Sequence, residues 1–312
     1  MMAPLDPQMR ADLAVAQVLG AHYTIMNRHE RGLLKGADPD ALHDFRVAIR
    51  ASRSILNQTR GVFPERPYQR FRGVLAWLAD CTGAARDLDV FLEKMPEFRH
   101  TLSAALNEGL APLEAVLREA QKVEQKRLAK TCAARRYVGF KRAYGAFLGD
   151  HAAHACRTPH GNEPIVALAS RVIRKRYRKA LAGGRHVGED APSATLHELR
   201  KNGKKLRYLI ESFRGLYRDE EEVRAILKQL KEIQDVLGKL VDLNVQRRLL
   251  REWPLRADTA SSFPPGALTA AQTLDVRLSQ EELKTRGSFA ERYASFASRE
   301  TRGRFERLFG EG

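Results

Sequence analysis

The sequence is poor in cysteine and contains no long apolar run. Its three cysteines, Cys81, Cys132 and Cys156, form no paired pattern, which argues against a disulfide framework and favours a reducing compartment. No stretch approaches the roughly 18 consecutive apolar residues of a transmembrane helix, and the N-terminal segment lacks the basic and apolar regions of a secretory signal. We therefore expect a cytoplasmic protein that has no membrane partner.

Acidic residues are scarce relative to basic residues. The 312 residues include 54 Lys and Arg but only 38 Asp and Glu, which gives a formal net charge of +16. Such an excess is typical of proteins that bind a polyanion, because self-repulsion otherwise works against a compact state. Nucleic acid, an anionic membrane surface and a phosphate polymer are the candidate partners, and a basic surface without function is the alternative.

The alternating pattern of β-strands is missing, whereas helical periodicity is present along nearly the whole chain. The clearest helix spans 220–250, where Ile226, Leu230 and Ile233 recur at spacings of four and three residues. Glutamates at its start and arginines at its end complement the helix dipole. The pattern predicts an all-α protein of long helices joined by short connections, with a linker at 157–164.

The chain contains an internal repeat at an offset of 154 residues, which places the segment 42–63 on 196–217. Identical residues then occupy six positions of the first segment, namely Leu42, His43, Arg46, Arg53, Arg60 and Gly61. A match of this length at a fixed offset predicts two related helical units, 10–156 and 163–312, in a pseudo-two-fold arrangement.

Each repeated segment, placed on a helix of about 100° per residue, carries a cationic stripe backed by an apolar face. Asp44 and Glu198 are the acids near these stripes, and both lie in first turns where the helix dipole accounts for them. Like charges one turn apart repel each other, so we expect an external anion to neutralise the stripes; a solvated face is the alternative. The first stripe comprises His43, Arg46, Arg50 and Arg53, and the second comprises His197, Arg200, Lys201, Lys204 and Arg207.

A third basic segment precedes the second stripe. Its basic residues share one helical face and are Arg171, Arg174, Lys175 and Arg178. The short connection to the next helix predicts antiparallel neighbours, whose cationic faces would form a trough for a linear polyanion. Uncharged residues occupy the equivalent positions of the first half, so the trough is expected to be stronger in the second half.

Metal and catalytic motifs are weak in this sequence. Residues at metal-compatible spacings are His151, His154, Cys156 and His160, but a solvated helix end is the favoured interpretation. Asp87 and Asp89 suit Mg²⁺, although ion pairing with nearby arginines is favoured. No Gly-rich phosphate loop, His-Glu-x-x-His motif or nucleophile elbow occurs, so we predict no catalytic residue, no metal and no cofactor.

The paired His-x-x-Arg segments, together with "TGAARDLDVFL" and "LGKLVDLNV", resemble the CHAD family, named for conserved histidines in an α-helical domain. The resemblance spans roughly residues 10–310. It implies two pseudo-symmetric four-helix units around a basic pore or groove that binds inorganic polyphosphate through the stripe residues named above. The chain resembles the stand-alone form, without the CYTH-type triphosphate-processing domain that many members carry.

The leading hypothesis is a non-catalytic module that binds inorganic polyphosphate and attaches to polyphosphate granules. Polyphosphate has no bases to stack, and no aromatic residues are interleaved through the stripes as a single-strand nucleic-acid binder would prefer. The alternatives are a nucleic-acid-binding protein, above all for RNA, and an enzyme or accessory that acts on polyphosphate or triphosphates. The sequence leaves open the oligomeric state and whether the two stripes line one pore or two grooves.

Overall fold

The computed structural model describes residues 4–35, 39–150, 158–185, 187, 191–252 and 265–310. Within these ranges the chain is helical and contains no β-strand, only an isolated bridge between Arg10 and Pro164. The all-α prediction is therefore confirmed. The helices are α1 Ala11–Lys35, α2 Pro39–Gln58, α3 Glu65–Cys81, α4 Gly83–Glu93, α5 Met95–Thr101, α6 Ala104–Ala133, α7 Arg135–Gly149, α8 Ile165–Gly184, α9 Ser193–Phe213, α10 Glu220–Glu252, α11 Pro265–Phe296 and α12 Arg299–Phe309.

Helix α10 shows how the sequence pattern produces this architecture. Ile226, Leu230 and Ile233 share one face of the helix, and all three are buried. Acidic residues occupy the first turn and Arg251 lies in the last turn, where each charge complements the helix dipole. Burial of the apolar face, added to these end charges, keeps the helix continuous from Glu220 to Glu252.

One hydrophobic core extends through both halves of the sequence. It includes Phe45 and Ile49 of α2 as well as Leu206 and Ile210 of α9, and each of these side chains is fully buried. A second cluster joins α4, α5, α6, α10 and α11 around residues such as Phe91. The unit boundaries, the internal duplication and the pore stay predictions.

The packing of four helices positions the cationic stripes. Helix α2 packs against α9, while α4 lies against α2 and α10 lies against α9. Because the apolar faces of α2 and α9 turn toward the core, their basic residues face the space beside α4 and α10. None of the helices in the described ranges has the length and apolar character that crossing a membrane requires.

Candidate functional site

A cleft of about 970 Å³ lies between α2, α4, α9 and α10. Residues of both repeated segments line it, namely His43, Arg46 and Arg50 of α2 and His197, Arg200 and Lys204 of α9. Part of each stripe therefore lines the same cleft. The other charged residues of the wall come from α4 and α10 and are Arg86, Asp87, Asp242, Arg247, Arg248, Arg251 and Glu252.

Positive charge dominates the wall of this cleft, since eight Arg and Lys side chains face three carboxylates. Ion pairs neutralise part of the excess, including Arg86–Glu93 at 2.9 Å, Arg247–Asp275 at 2.9 Å and Arg200–Asp242 at 3.7 Å. Arg50 and Lys204 form no ion pair within the described part of the chain. One unpaired cation from each repeated segment is therefore available to an anion.

Lys204 is half-buried and lies among cations that face it from two helices. Burial is the main reason why the pKa of Lys204 falls to about 7, and the charges of Arg200, Arg50 and Arg207 lower it further. Asp242 opposes this effect but pairs with Arg200. A substantial fraction of Lys204 is therefore neutral near pH 7, and an incoming anion would favour its charged form.

Burial and nearby cations also lower the pKa values of the two histidines of the cleft. Partial burial is the main cause of the lowered pKa of both His43 and His197. The charge of Arg86 lowers the pKa of His43 further, and the charge of Lys201 does the same for His197. Both rings therefore favour the neutral form near neutral pH. A bound polyanion would reverse this field and raise both pKa values.

Asp87 and Asp242 line the cleft, and Asp89 lies on the same helix as Asp87. Burial raises the pKa of both Asp87 and Asp242, and the surrounding cations act against this rise. The negative charge of Asp242 raises the pKa of Asp87 further. Asp89 is buried and accepts a hydrogen bond from the amide of Gln121 at 2.6 Å. Its hydrogen-bond partner is thus an amide, rather than the arginine that the sequence suggested.

The candidate metal ligands do not form a cluster in the part of the chain that the structure describes. No group of three His, Cys, Asp or Glu side chains there is placed to hold a metal ion. His151, His154 and Cys156 lie outside the described residues. His160 is described, and its Nδ1 lies 3.1 Å from Oε1 of Glu163.

Arg46 is tied to the protein rather than turned freely into the cleft. Only 7% of it is exposed, and its Nη1 donates to Oγ1 of Thr82 at 2.6 Å and to the carbonyl oxygen of Ala79 at 3.2 Å. These acceptors lie where α3 ends and α4 begins. Burial lowers the pKa of Arg46 to about 10, and the charge of Arg50 adds to the effect. The guanidinium thus stabilises the break between the two helices.

The remaining predicted residues lie outside the 970 Å³ cleft. Arg207 lines an adjoining cavity of about 550 Å³, whose wall also includes Arg200 and Lys204. Helix α8 packs against α9 as predicted, but its basic residues do not line either cavity. The predicted residues outside both cavities are Arg53, Arg171, Arg174, Lys175, Arg178 and Lys201.

Two of these outlying cations already have carboxylate partners. Arg171 donates two hydrogen bonds to Glu163, at 2.6 and 2.8 Å. Lys201 pairs with Glu198 one turn earlier on α9. Helix α9 thus directs Arg200 and Lys204 into the cleft, whereas Lys201 lies on its exposed side.

Several basic residues of the cleft were missed by the sequence-based set, namely Arg86, Arg247, Arg248 and Arg251. For the arginines of α10 the sequence pattern indicates only helix-end charges. The available signal was the motif that follows each stripe, "RDLDV" in the first copy and "VDLNV" in the second. The structure places both motifs beside the stripes, where they supply Asp87 and Asp242 to the wall of the cleft.

Sequence comparison identifies relatives of this chain. The model of the CHAD domain matches residues 17–251. The uncharacterized proteins Rv2226 and MT2285, from two strains of Mycobacterium tuberculosis, are each 27% identical to it over 224 residues. These alignments cover 71% of this chain and 42% of each relative, so the chain spans less than half the length of these relatives.

Structural comparison gives a concordant result. The crystal structure of the CHAD domain from the plant Ricinus communis matches with a TM-score of 0.78 and 25% sequence identity, over 95% of both chains. PptA from Streptomyces chartreusis shares the fold, with a TM-score of 0.65 and 16% identity over 91% of this chain and 99% of that chain. The domain-model match spans most of the sequence and includes both histidine segments, and we conclude that the chain belongs to the CHAD domain family.

Proposed function

We propose that the protein binds inorganic polyphosphate in the cleft between α2, α4, α9 and α10 and does not change it chemically. The observation that carries this proposal is the pair of cations Arg50 and Lys204, which line the cleft from the two repeated segments and form no ion pair within the described residues. A polyanion would supply the missing negative charge. Arg offers a planar fork of donors to phosphate oxygens, and Lys offers a mobile point charge.

The lining of the cleft favours a phosphate polymer over nucleic acid. Among its described residues there is no Phe, Tyr or Trp. Proteins that bind single-stranded nucleic acid commonly stack bases on aromatic side chains, and this wall has no such platform. Membership of the CHAD family, which relates to polyphosphate binding, supports the same choice. Attachment to polyphosphate granules in the cytoplasm is part of the proposal.

Equilibrium titration tests the proposed ligand directly. The full chain is titrated with long-chain polyphosphate, single-stranded RNA and duplex DNA at about 0.15 M salt, and released orthophosphate is assayed in parallel. We expect polyphosphate to bind at least about tenfold more tightly than either nucleic acid, because the cleft offers cations for phosphate oxygens but no aromatic side chain on which a base could stack. Tighter RNA binding would favour the nucleic-acid alternative, and release of orthophosphate would favour an enzyme.

The affinity for polyphosphate is expected to rise as the pH falls. The pKa of Lys204 is about 7 without ligand, and a bound polyanion raises it, so binding takes up a proton. Affinity therefore increases as the pH falls through that value, by about tenfold between pH 8 and pH 6 from Lys204 alone. The charged and titratable groups that face Lys204 are Arg50 and His43 on α2, Arg200, Arg207 and His197 on α9, and Asp242 on α10.

Two variants separate the contributions to this pH dependence. In Lys204→Arg the guanidinium stays charged at both pH 6 and pH 8. This variant should therefore still bind polyphosphate but should lose most of the tenfold change in affinity between the two pH values. The double variant His43→Ala and His197→Ala should lose the part that the imidazoles contribute. Long chains are used because their few terminal phosphates contribute little titration of their own. An equal affinity of the wild type at pH 6 and pH 8 would contradict this mechanism.

The exposed stripe on α8 is expected to act only at long range. Lys175 and Arg178 lie outside the cleft, so they contribute to the general field rather than to direct contacts. Replacing both with glutamine should weaken polyphosphate binding by about threefold or less at 0.15 M salt, and the effect should vanish at higher salt. A loss above about thirtyfold that persists at high salt would place the bound chain along α8 instead.

A further inference from the structure

We infer that Lys204 is an acylation site whose acyl donor is an acyl phosphate, and that the phosphate of this donor binds in the cleft. The inference rests in part on the proposed function, because the same cations would hold the phosphate. It adds a covalent modification at a named atom, Nζ of Lys204, and thereby a means of regulating the anion-binding cleft.

The position of Lys204 meets the first requirement, which is access combined with removal from bulk water. The residue is half-buried and lines both the 970 Å³ cleft and the adjoining 550 Å³ cavity. Both cavities are large enough for a small phosphorylated molecule. Reagents can therefore reach Nζ from the cleft, although much of the side chain is covered by protein.

The charges around Lys204 meet the second requirement, which is a supply of free amine. Only the neutral amine is nucleophilic, and a lysine becomes neutral when it is desolvated or lies beside other cations. Arg50 on α2 and Arg200 and Arg207 on α9 act on Lys204 in this way. The facing carboxylate of Asp242 pairs with Arg200, so it does not hold Lys204 in the charged form by an ion pair.

The same arginines meet the third requirement, which is recognition of the donor. Arg50 and Arg200 line the cleft together with Lys204, and guanidinium groups bind phosphate oxygens through two parallel hydrogen bonds. A phosphate held there brings the adjacent acyl carbon to the region of Nζ. Proximity of this kind accelerates transfer, because the two reactants no longer have to meet from solution.

The chemical step is balanced without an oxidant or a reductant. The lone pair of Nζ attacks the carbonyl carbon of the acyl phosphate, and a new C–N bond forms. The bond between that carbon and the bridging oxygen breaks, and inorganic phosphate leaves with the electron pair. The nitrogen then loses a proton to solvent, which leaves a neutral amide in place of the amine.

Acylation would weaken binding of a polyanion in the cleft. An amide cannot become cationic, so one of the two unpaired cations is lost permanently. We expect the affinity for polyphosphate to fall by about tenfold near pH 6, where unmodified Lys204 is charged. The modification should also remove the pH dependence that Lys204 contributes.

Lys201 provides an internal control on the same helix. It lies three residues before Lys204 on α9, but it is exposed and its ammonium group pairs with Glu198. A lysine in this setting lacks the burial of Lys204, and a carboxylate holds its side chain at the surface. Its rate of modification therefore reports on ordinary surface reactivity in the same sample.

The experiment measures the acetylation rate of each lysine in the full chain. The protein is incubated with acetyl phosphate or with the neutral reagent N-acetoxysuccinimide at about pH 7.5, and modified peptides are quantified by mass spectrometry. With acetyl phosphate, Lys204 should react at least about tenfold faster than Lys201. Excess inorganic phosphate should reduce this preference, and Arg50→Gln should slow the reaction with acetyl phosphate more than the reaction with the neutral reagent.

Two results would overturn the inference. The first is an acetylation rate at Lys204 that does not exceed the rate at Lys201. The second is a faster reaction of Lys204 with acetyl phosphate that neither excess inorganic phosphate nor the Arg50→Gln substitution reduces. A separate titration with polyphosphate distinguishes this failure from failure of the proposed function. If polyphosphate binds while Lys204 is inert, only the acylation site is wrong; if Lys204 reacts selectively while polyphosphate does not bind, only the proposed function is wrong.

Discussion

Replacing Arg50, Arg200 and Lys204 together with glutamine is expected to weaken polyphosphate binding by at least about a thousandfold. Each side chain lines the cleft, and each charge-assisted hydrogen bond to phosphate contributes about 1.5 kcal/mol or more, so three lost contacts give this factor. Isothermal titration calorimetry of the wild type and the triple variant measures the change. The fold should survive, because relief of the repulsion among neighbouring cations offsets the loss of the Arg200–Asp242 ion pair.

A matched control removes the same charge elsewhere. Lys126 and Lys130 on α6 and Lys228 on α10 are exposed lysines that do not line the cleft. Their replacement with glutamine lowers the net charge equally but should change the affinity by about threefold or less at 0.15 M salt. Equal losses in the two triple variants would mean that net charge, rather than the cleft, governs binding.

Arg46→Ala is expected to lower the free energy of unfolding by about 3 kcal/mol. The substitution removes two hydrogen bonds from a charged donor, leaves a space in a buried region, and affects the break between α3 and α4. The loss of one cation from the cleft offsets part of this cost. Urea unfolding followed by circular dichroism measures the change.

Arg50→Ala is the comparison variant for Arg46→Ala. Arg50 lies one turn further along α2 and has no ion-pair partner within the described ranges, so its removal should change the free energy of unfolding by about 0.5 kcal/mol or less. It should nevertheless weaken polyphosphate binding. If Arg46→Ala leaves stability unchanged and abolishes binding, then Arg46 is a ligand contact rather than a structural residue.

The stripes could be predicted from the sequence because they depend on local periodicity. A period near 3.6 residues separates the basic faces of α2 and α9 from their apolar faces, and the repeat identifies equivalent positions. The different roles of Arg46 and Arg50 could not be predicted in this way. Both lie on the same stripe, and the tertiary contacts with Ala79 and Thr82, 33 and 36 residues away in the sequence, tie Arg46 to the protein.

The rest of the cleft depends on which helices become neighbours. Arg247 is one of several basic residues near the end of α10, and its sequence context indicates only a helix-end charge. In the fold, Asp275 and Glu282 of α11 pair with it, so much of its charge is already neutralised. Periodicity cannot reveal such pairing between distant helices, and charge counting alone therefore overestimates the free cations of the site.

A crystal structure of the protein with bound polyphosphate tests the central claim most directly. We predict ordered phosphate groups in the cleft, with oxygens within hydrogen-bonding distance of Arg50 on α2 and of Arg200 and Lys204 on α9. Occupation should leave the contact between Arg46 and Thr82 unchanged. Phosphates ordered along the exposed face of α8, with no phosphate in the cleft, would contradict the account.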